Sequence, residues 1–167
     1  MSSFLTYNRS KSMQHTSLSA AVVPMNTAPM EAKTYTHDEI GAMLREHGIN
    51  PTAQRVEIAR ELFSRKGHFS AEDVFMLVNN EQAQVSKATV YNTLGLFAEK
   101  GLIRQLVVDP TKLFYDPNMI PHHHFYDVVT GVLTDIDGED VRITGLPPLP
   151  PGAKMEGVDV IVRMRHI

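Results

Sequence analysis

Apolar residues recur at helical spacing from the mid-thirties of the chain onward, and each run carries start and stop signals. Ile40, Met43, Leu44 and His47 share one face of a first helix. Thr36-His37-Asp38-Glu39 reads as its capping box, with Thr36 as N-cap and Glu39 reaching back, and Gly48 stops it. Thr52, just after Pro51, opens a second helix with Val56, Ile58, Ala59, Leu62 and Phe63 as its core stripe and Gly67 as its expected end. Ser70-Ala71-Glu72-Asp73 caps a third, with Val74, Phe75, Leu77 and Val78 inside. A polar turn over 79–84 follows. Ser86 then opens a fourth helix that runs to about Lys100 and closes at Gly101, with Val90, Leu94 and Phe97 facing inward. Two short helices across a tight turn are the helix-turn-helix pattern.

The pattern then alternates. Residues 102–108 read as a strand, Asp109-Pro110-Thr111-Lys112 as a turn and 113–115 as a second strand. A hairpin directly after the fourth helix is a wing. Residues 125–129 and 132–136 are β-rich runs around the turn signal Thr130-Gly131, and Asp137-Gly138 is another turn. The proline-rich 146–152 must be an extended linker, and 158–164 reads as a closing strand. The expected fold is α+β: an N-terminal winged helix-turn-helix domain over 33–117 and a small C-terminal α/β dimerisation and sensing domain over 118–167.

Residues 1–32 stand apart. They are rich in Ser, Thr and Met, carry Arg9 and Lys11, and have no acidic residue before Glu31. That composition overlaps with transit peptides; a disordered tail, or a true start at Met25 or Met30, is the simpler expectation.

Composition narrows the chemistry. An apolar fraction of 43% and a charged fraction of 21% are those of a globular protein. No run approaches the roughly 20 apolar residues of a membrane span, and nothing points to secretion, so the expected location is cytoplasmic. There is no cysteine, which excludes disulfides, thiolate nucleophiles and cysteine-held zinc. Any metal must be bound by His and carboxylates. The net charge of −3 is not the basic balance of many nucleic-acid binders, and the acidic part lies after residue 107. DNA binding therefore has to rest on local geometry.

A recognition helix presents its first residues to base edges. Here these are Ser86, Lys87, Ala88, Thr89, Tyr91 and Asn92. Ser, Thr and Asn can bond bases or phosphates, Lys neutralises a phosphate, and Tyr and Ala can touch a thymine methyl. Arg55 is placed to grip the backbone or enter a minor groove. The alternative is an ordinary capped amphipathic helix; the turn before it and the hairpin after it favour the recognition helix.

Pro121-His122-His123-His124-Phe125 is the most informative short string. In an extended segment His122 and His124 face one side and His123 the other. Such a pair can chelate a divalent cation or supply an axial ligand to haem iron. Three solvent-exposed loop histidines are the bland alternative. Asp116, Asp135 and His68 are further candidate ligands, of value only where the fold brings them together.

The strings Gly48-Ile49-Asn50-Pro51-Thr52-Ala53-Gln54-Arg55, His68-Phe69-Ser70-Ala71-Glu72-Asp73, Ser86 to Leu94 and His122 to Phe125 together resemble the ferric uptake regulator (Fur) family, in order and spacing over about 36–162. Within it the triple histidine and missing cysteine pairs look most like the iron response regulator branch. The resemblance implies a regulator of iron and haem homeostasis genes, a repressor gated by haem or by Fe or Mn. It implies a homodimer or higher oligomer on a palindromic double-stranded operator. It assigns DNA contacts to Arg55 and Tyr91, with Asn92 where the family usually has Arg. It assigns the regulatory metal to His68, Asp116, His122, His124 and Asp135, and haem to His122, His123 and His124. The zinc-holding cysteine pair is replaced by Asp127 and Thr130, and a family secondary site is altered at Pro121 and His123. A long helix common in the family's C-terminal domain is missing. Competing expectations are a metal-dependent hydrolase on an open His site, for which no general base or phosphate loop stands out, and a haem or metal buffering protein with no DNA role.

Overall fold

The computed structural model describes residues 33–80 and 85–167. The tail expected over 1–32 and most of the turn expected over 79–84 lie outside the described residues.

Four helices come first: α1 (His37–Glu46), α2 (Ala53–Phe63), α3 (Ala71–Val78) and α4 (Lys87–Glu99). Every N-cap is a Ser or Thr whose hydroxyl accepts from the amide three residues on: Thr36 from Glu39, Thr52 from Arg55, Ser70 from Asp73, Ser86 from Thr89. Each such cap is worth about 1 kcal/mol. The capping boxes are complete at α1 and α3. Gly48 and Gly101, at φ 69° and 67°, turn the chain out of α1 and α4 in the left-handed region that glycine tolerates. α2 ends at Phe63, earlier than expected, and Gly67 lies in the following loop. Ser64, Arg65 and Lys66 offer no apolar side chain to bury, so nothing extends the helix.

Ile40, Leu44, Ile58, Leu62, Val74, Val90, Leu94 and Phe97 are fully buried and form one core between the helices. Asn79 clamps the passage from α3 to α4. Its side-chain amide donates to the Phe75 and Val85 carbonyls, and its Oδ1 accepts from the Val85 amide.

An antiparallel hairpin follows, β1 (Arg104–Asp109) and β2 (Lys112–Asp116). It starts two residues later than the alternation predicts, because Leu102 and Ile103 turn into the helical core. β3 (His122–Asp127), β4 (Leu133–Asp137) and β5 (Ile161–Met164) form a second sheet in the order β4-β3-β5, with β4 antiparallel and β5 parallel to β3. β3 begins three residues before the predicted run and ends at Asp127. There the Asp127 carboxylate accepts from the Val129 and Thr130 amides and folds the chain into a turn. The histidines therefore lie in a strand, not a loop. A 3-10 turn at Gly138–Asp140 and chain without helix or strand, extended up to a hydrogen-bonded turn at Pro151 and Gly152 within the linker predicted over 146–152, connect β4 to β5, which is shorter than the 158–164 run predicted for it. Gly138 is fixed by space: a Cβ would sit 2.8 Å from the Pro121 carbonyl oxygen at the entrance to β3.

Candidate metal centre and recognition face

Two pairings and the alternation of one strand deliver five side chains to one point. Phe69 bridges Tyr115 through two backbone hydrogen bonds of 3.0 and 2.8 Å. That bridge sets His68, in the loop before α3, beside Asp116 at the end of β2. In the β3–β4 ladder His124 lies opposite Asp135. Strand alternation puts His122 on the same face as His124.

The Nε2 of His122 is 2.9 Å from Asp116 Oδ2, and the Nε2 atoms of His68 and His124 are each 3.7 Å from that same oxygen. His68 Nε2 is 3.0 Å from Asp135 Oδ1. Single ligand atoms of His68, His122, His124 and Asp135 all fall within 4.8 Å of one another. The side chains of His68, Asp116, His122 and His124 are almost fully buried, while Asp135 is half open.

Buried polar atoms are nearly always hydrogen-bonded. Here Asp116 Oδ2, His122 Nε2 and both ring nitrogens of His68 and His124 have no aligned partner. The close approach of His68 to Asp135 is one of distance, not of hydrogen-bond geometry. Three imidazoles and two carboxylates are the donor set that Mn, Fe and Zn accept, and the free atoms face each other. The His68 ring, first of all, holds the Asp135 carboxyl down at about 2 against the burial that pushes it up. Asp135 is thus an ionised oxygen donor at neutral pH.

Neighbouring groups aim these donors. His122 Nδ1 lies 2.6 Å from the Ile120 carbonyl, which fixes it as the N–H and leaves Nε2 as the free nitrogen. With the proton there, the Arg104 guanidinium 3.3 Å from Nδ1 is a close neighbour and not a donor. Asn118 holds both carboxylates: its backbone amide donates to Asp116 Oδ1 and its side-chain amide to Asp135 Oδ2. Each carboxylate so keeps one oxygen for the cluster. Sequence reasoning missed Asn118; the Asp116-Pro117-Asn118 turn after a strand was its available signal. Because the backbone bond survives, Asn118→Ala spares the hold on Asp116 and removes the hold on Asp135, together with the Oδ1 that accepts from the Ile120 amide. We expect it to weaken Mn²⁺ binding about tenfold, read by calorimetric titration, with little change in the melting of the metal-free chain.

His123 points away from the cluster. It is buried, and its Nδ1 accepts from the Val160 amide, tying β3 to the chain entering β5. The alternative of three solvent-exposed loop histidines is overturned: all three are buried. Asp127, at the position of the absent cysteine pair, organises its turn through hydrogen bonds. Its donors, the Val129 amide first, hold its carboxyl below the usual range.

On α4, Ser86, Lys87, Ala88, Tyr91 and Asn92 are exposed and Thr89 is half-buried. The Ser86 and Thr89 hydroxyls pair at 2.9 Å as part of the cap. Arg55 donates to the Asn50 carbonyl at 3.0 Å, which holds it over the turn between α1 and α2. Glu72 of α3, which sequence reasoning passed over, contacts both Lys87 and Tyr91.

Comparison with known proteins adds four findings. The sequence model of the ferric uptake regulator family matches residues 46–145. The peroxide-responsive repressor PerR of Staphylococcus epidermidis is 28% identical over 109 residues, 65% of this chain and 73% of that protein. The structure of the ferric uptake regulator from Pseudomonas aeruginosa with manganese is similar at a TM-score of 0.60 and 26% identity, covering 75% of this chain and 96% of that one. The ferric uptake regulator of Francisella tularensis with iron shares the fold at a TM-score of 0.58 and 23% identity, over 71% of this chain and 92% of that one.

Proposed function

This chain belongs to the ferric uptake regulator family, and on that premise we propose that it is a DNA-binding transcription regulator whose hold on DNA depends on a divalent cation at the His and Asp cluster. The observation that carries this reading is the set of buried, facing and unpartnered donor atoms on His68, Asp116, His122 and His124. His68, His122 and His124 through Nε2, Asp116 through Oδ2 and Asp135 through Oδ1 would hold the ion. A dication bound there supplies the positive charge that offsets the two carboxylates and draws the five donors together.

His68 and Asp116 belong to the helix and hairpin part, proposed as the winged-helix domain over 33–117. His122, His124 and Asp135 belong to the three-stranded sheet, proposed as the dimerisation and sensing part over 118–167. Ligands from both parts give the site leverage over the angle between them, and so over how α4 meets the major groove. Manganese and iron are the favoured ions, as both suit this donor set and each is named for a related structure. The repressor among the relatives favours repression, on a palindrome bound by a homodimer.

The haem reading rests on the triple histidine, and the iron response regulator branch on that string and the missing cysteine pairs. Burial disfavours haem here: His124 is 0% exposed, and an axial ligand needs a nitrogen open to a porphyrin plane. The hydrolase alternative draws no support from relatives that are regulators and a repressor. A buffering protein differs from a regulator in having no DNA activity. Selection from a random duplex pool with the Mn²⁺-loaded chain separates the two. We expect a palindrome to emerge, and Lys87→Ala/Tyr91→Ala to weaken binding to it by roughly tenfold or more. A pool with no enrichment would end the regulator reading.

A further inference from the structure

Glu72 stands in the first turn of α3 with its side chain half exposed. One oxygen, Oε1, engages two residues of α4: Lys87 Nζ lies 2.9 Å from it, and the Tyr91 hydroxyl donates to it at 2.5 Å. Lys87 Nζ also lies 5.9 Å from the Tyr91 ring centre, so the three side chains form one closed group. Lys87 is the only Lys or Arg in α3 and α4. The one positive charge these two helices carry is therefore paired with a carboxylate on the same surface. The Tyr91 hydroxyl and the Lys87 ammonium hold that carboxyl at about 2, so Glu72 is negative throughout the physiological range.

This arrangement runs against simple attraction to DNA. Non-specific binding is almost wholly the neutralisation of phosphates by Lys and Arg. Sequence is read separately, by contacts to base edges. A residue that ties up the cation and adds a negative charge subtracts from the first contribution and leaves the second. Discrimination between partners often depends on such a repulsive element. Resting on the reading of α4 as the helix that meets DNA, we propose that Glu72 is a specificity-determining residue of that face. It holds Lys87 and Tyr91 against α3 and repels phosphate, so a duplex must offer base contacts to Tyr91 to displace it.

The test compares the full Mn²⁺-loaded chain with Glu72→Gln, Lys87→Ala and the double variant. Each is titrated against a palindrome selected by the wild-type chain and a mixed-sequence duplex of the same length, over a series of salt concentrations. Glu72→Gln is expected to bind the mixed-sequence duplex roughly fivefold tighter, with a salt slope steeper by about 0.9. The ratio of selected to mixed-sequence affinity should fall, and in the Lys87→Ala background the gain should shrink to the part that comes from Glu72's own repulsion of phosphate. Unchanged affinity and slope on the mixed-sequence duplex would overturn the inference. Weaker binding to both duplexes would also overturn it, leaving Glu72 a support for Tyr91. A wild-type chain that selects no palindrome and does not bind the mixed-sequence duplex would remove the DNA reading itself, and this inference with it. Glu72 is exposed, so a melting curve matched to wild type checks that the variant folds.

Discussion

His124→Ala should lower the affinity for Mn²⁺ by at least about 100-fold. His124 is the most deeply buried member of the cluster, and neither of its ring nitrogens has a hydrogen-bond partner. Its Nε2 faces Asp116 Oδ2 at 3.7 Å, and its ring packs edge-on against those of His68 and His122 with centroids 4.8 and 4.6 Å away. Removing it deletes one of three imidazole donors and breaks the packing that orients the other two. Loss of a mere supporting contact to a ligand typically costs 10–100-fold, and loss of the ligand itself should cost more. His123→Ala is the matched control. It lies one residue away on the same strand and is also buried, but it bonds the Val160 amide. Calorimetric titration should show its Mn²⁺ affinity within about threefold of wild type, since no donor is lost. Equal losses in the two variants would mean that damage to the strand, not loss of a ligand, explains the effect.

Phe97→Ala should destabilise the metal-free chain by about 3–5 kcal/mol, read from urea unfolding midpoints. Phe97 is fully buried where α4 packs on the other helices, and its removal leaves a cavity that a capped helix cannot easily collapse. A domain of this size is stable by only about 5–15 kcal/mol, so this one side chain carries a large share. DNA binding should fall with it, because Phe97 and Leu94 fix the face that α4 turns outward. A loss under about 1 kcal/mol would show that α4 is not anchored as described.

The helices were legible because their signals are local. All four N-caps are the residues the pattern names, and the inward faces of α1 and α4 follow from spacing alone. Gly67 misled because a glycine is a stop signal only where apolar residues continue up to it. β3 was read three residues too late for a related reason. Strand signals rest on β-branched and aromatic residues, and three histidines look like a polar loop until something explains their burial. Alternation did place His122 and His124 together and His123 opposite. What brings His68 to them is the Phe69–Tyr115 bridge, a long-range pairing without a local pattern. In the sequence it was reachable only through family resemblance. Asn118 and Glu72 escaped notice because their roles are contacts made across elements, and a lone Asn or Glu on a helix or turn is ordinarily a surface residue.

Fluorescence anisotropy of the selected palindrome tests the link between the cluster and DNA most directly. The full chain is titrated once after chelator treatment and once saturated with Mn²⁺. The predicted result is an affinity at least about fivefold higher with Mn²⁺, within the usual range of coupling between sites, and no such gain in His124→Ala. The same affinity with and without Mn²⁺ would contradict metal gating.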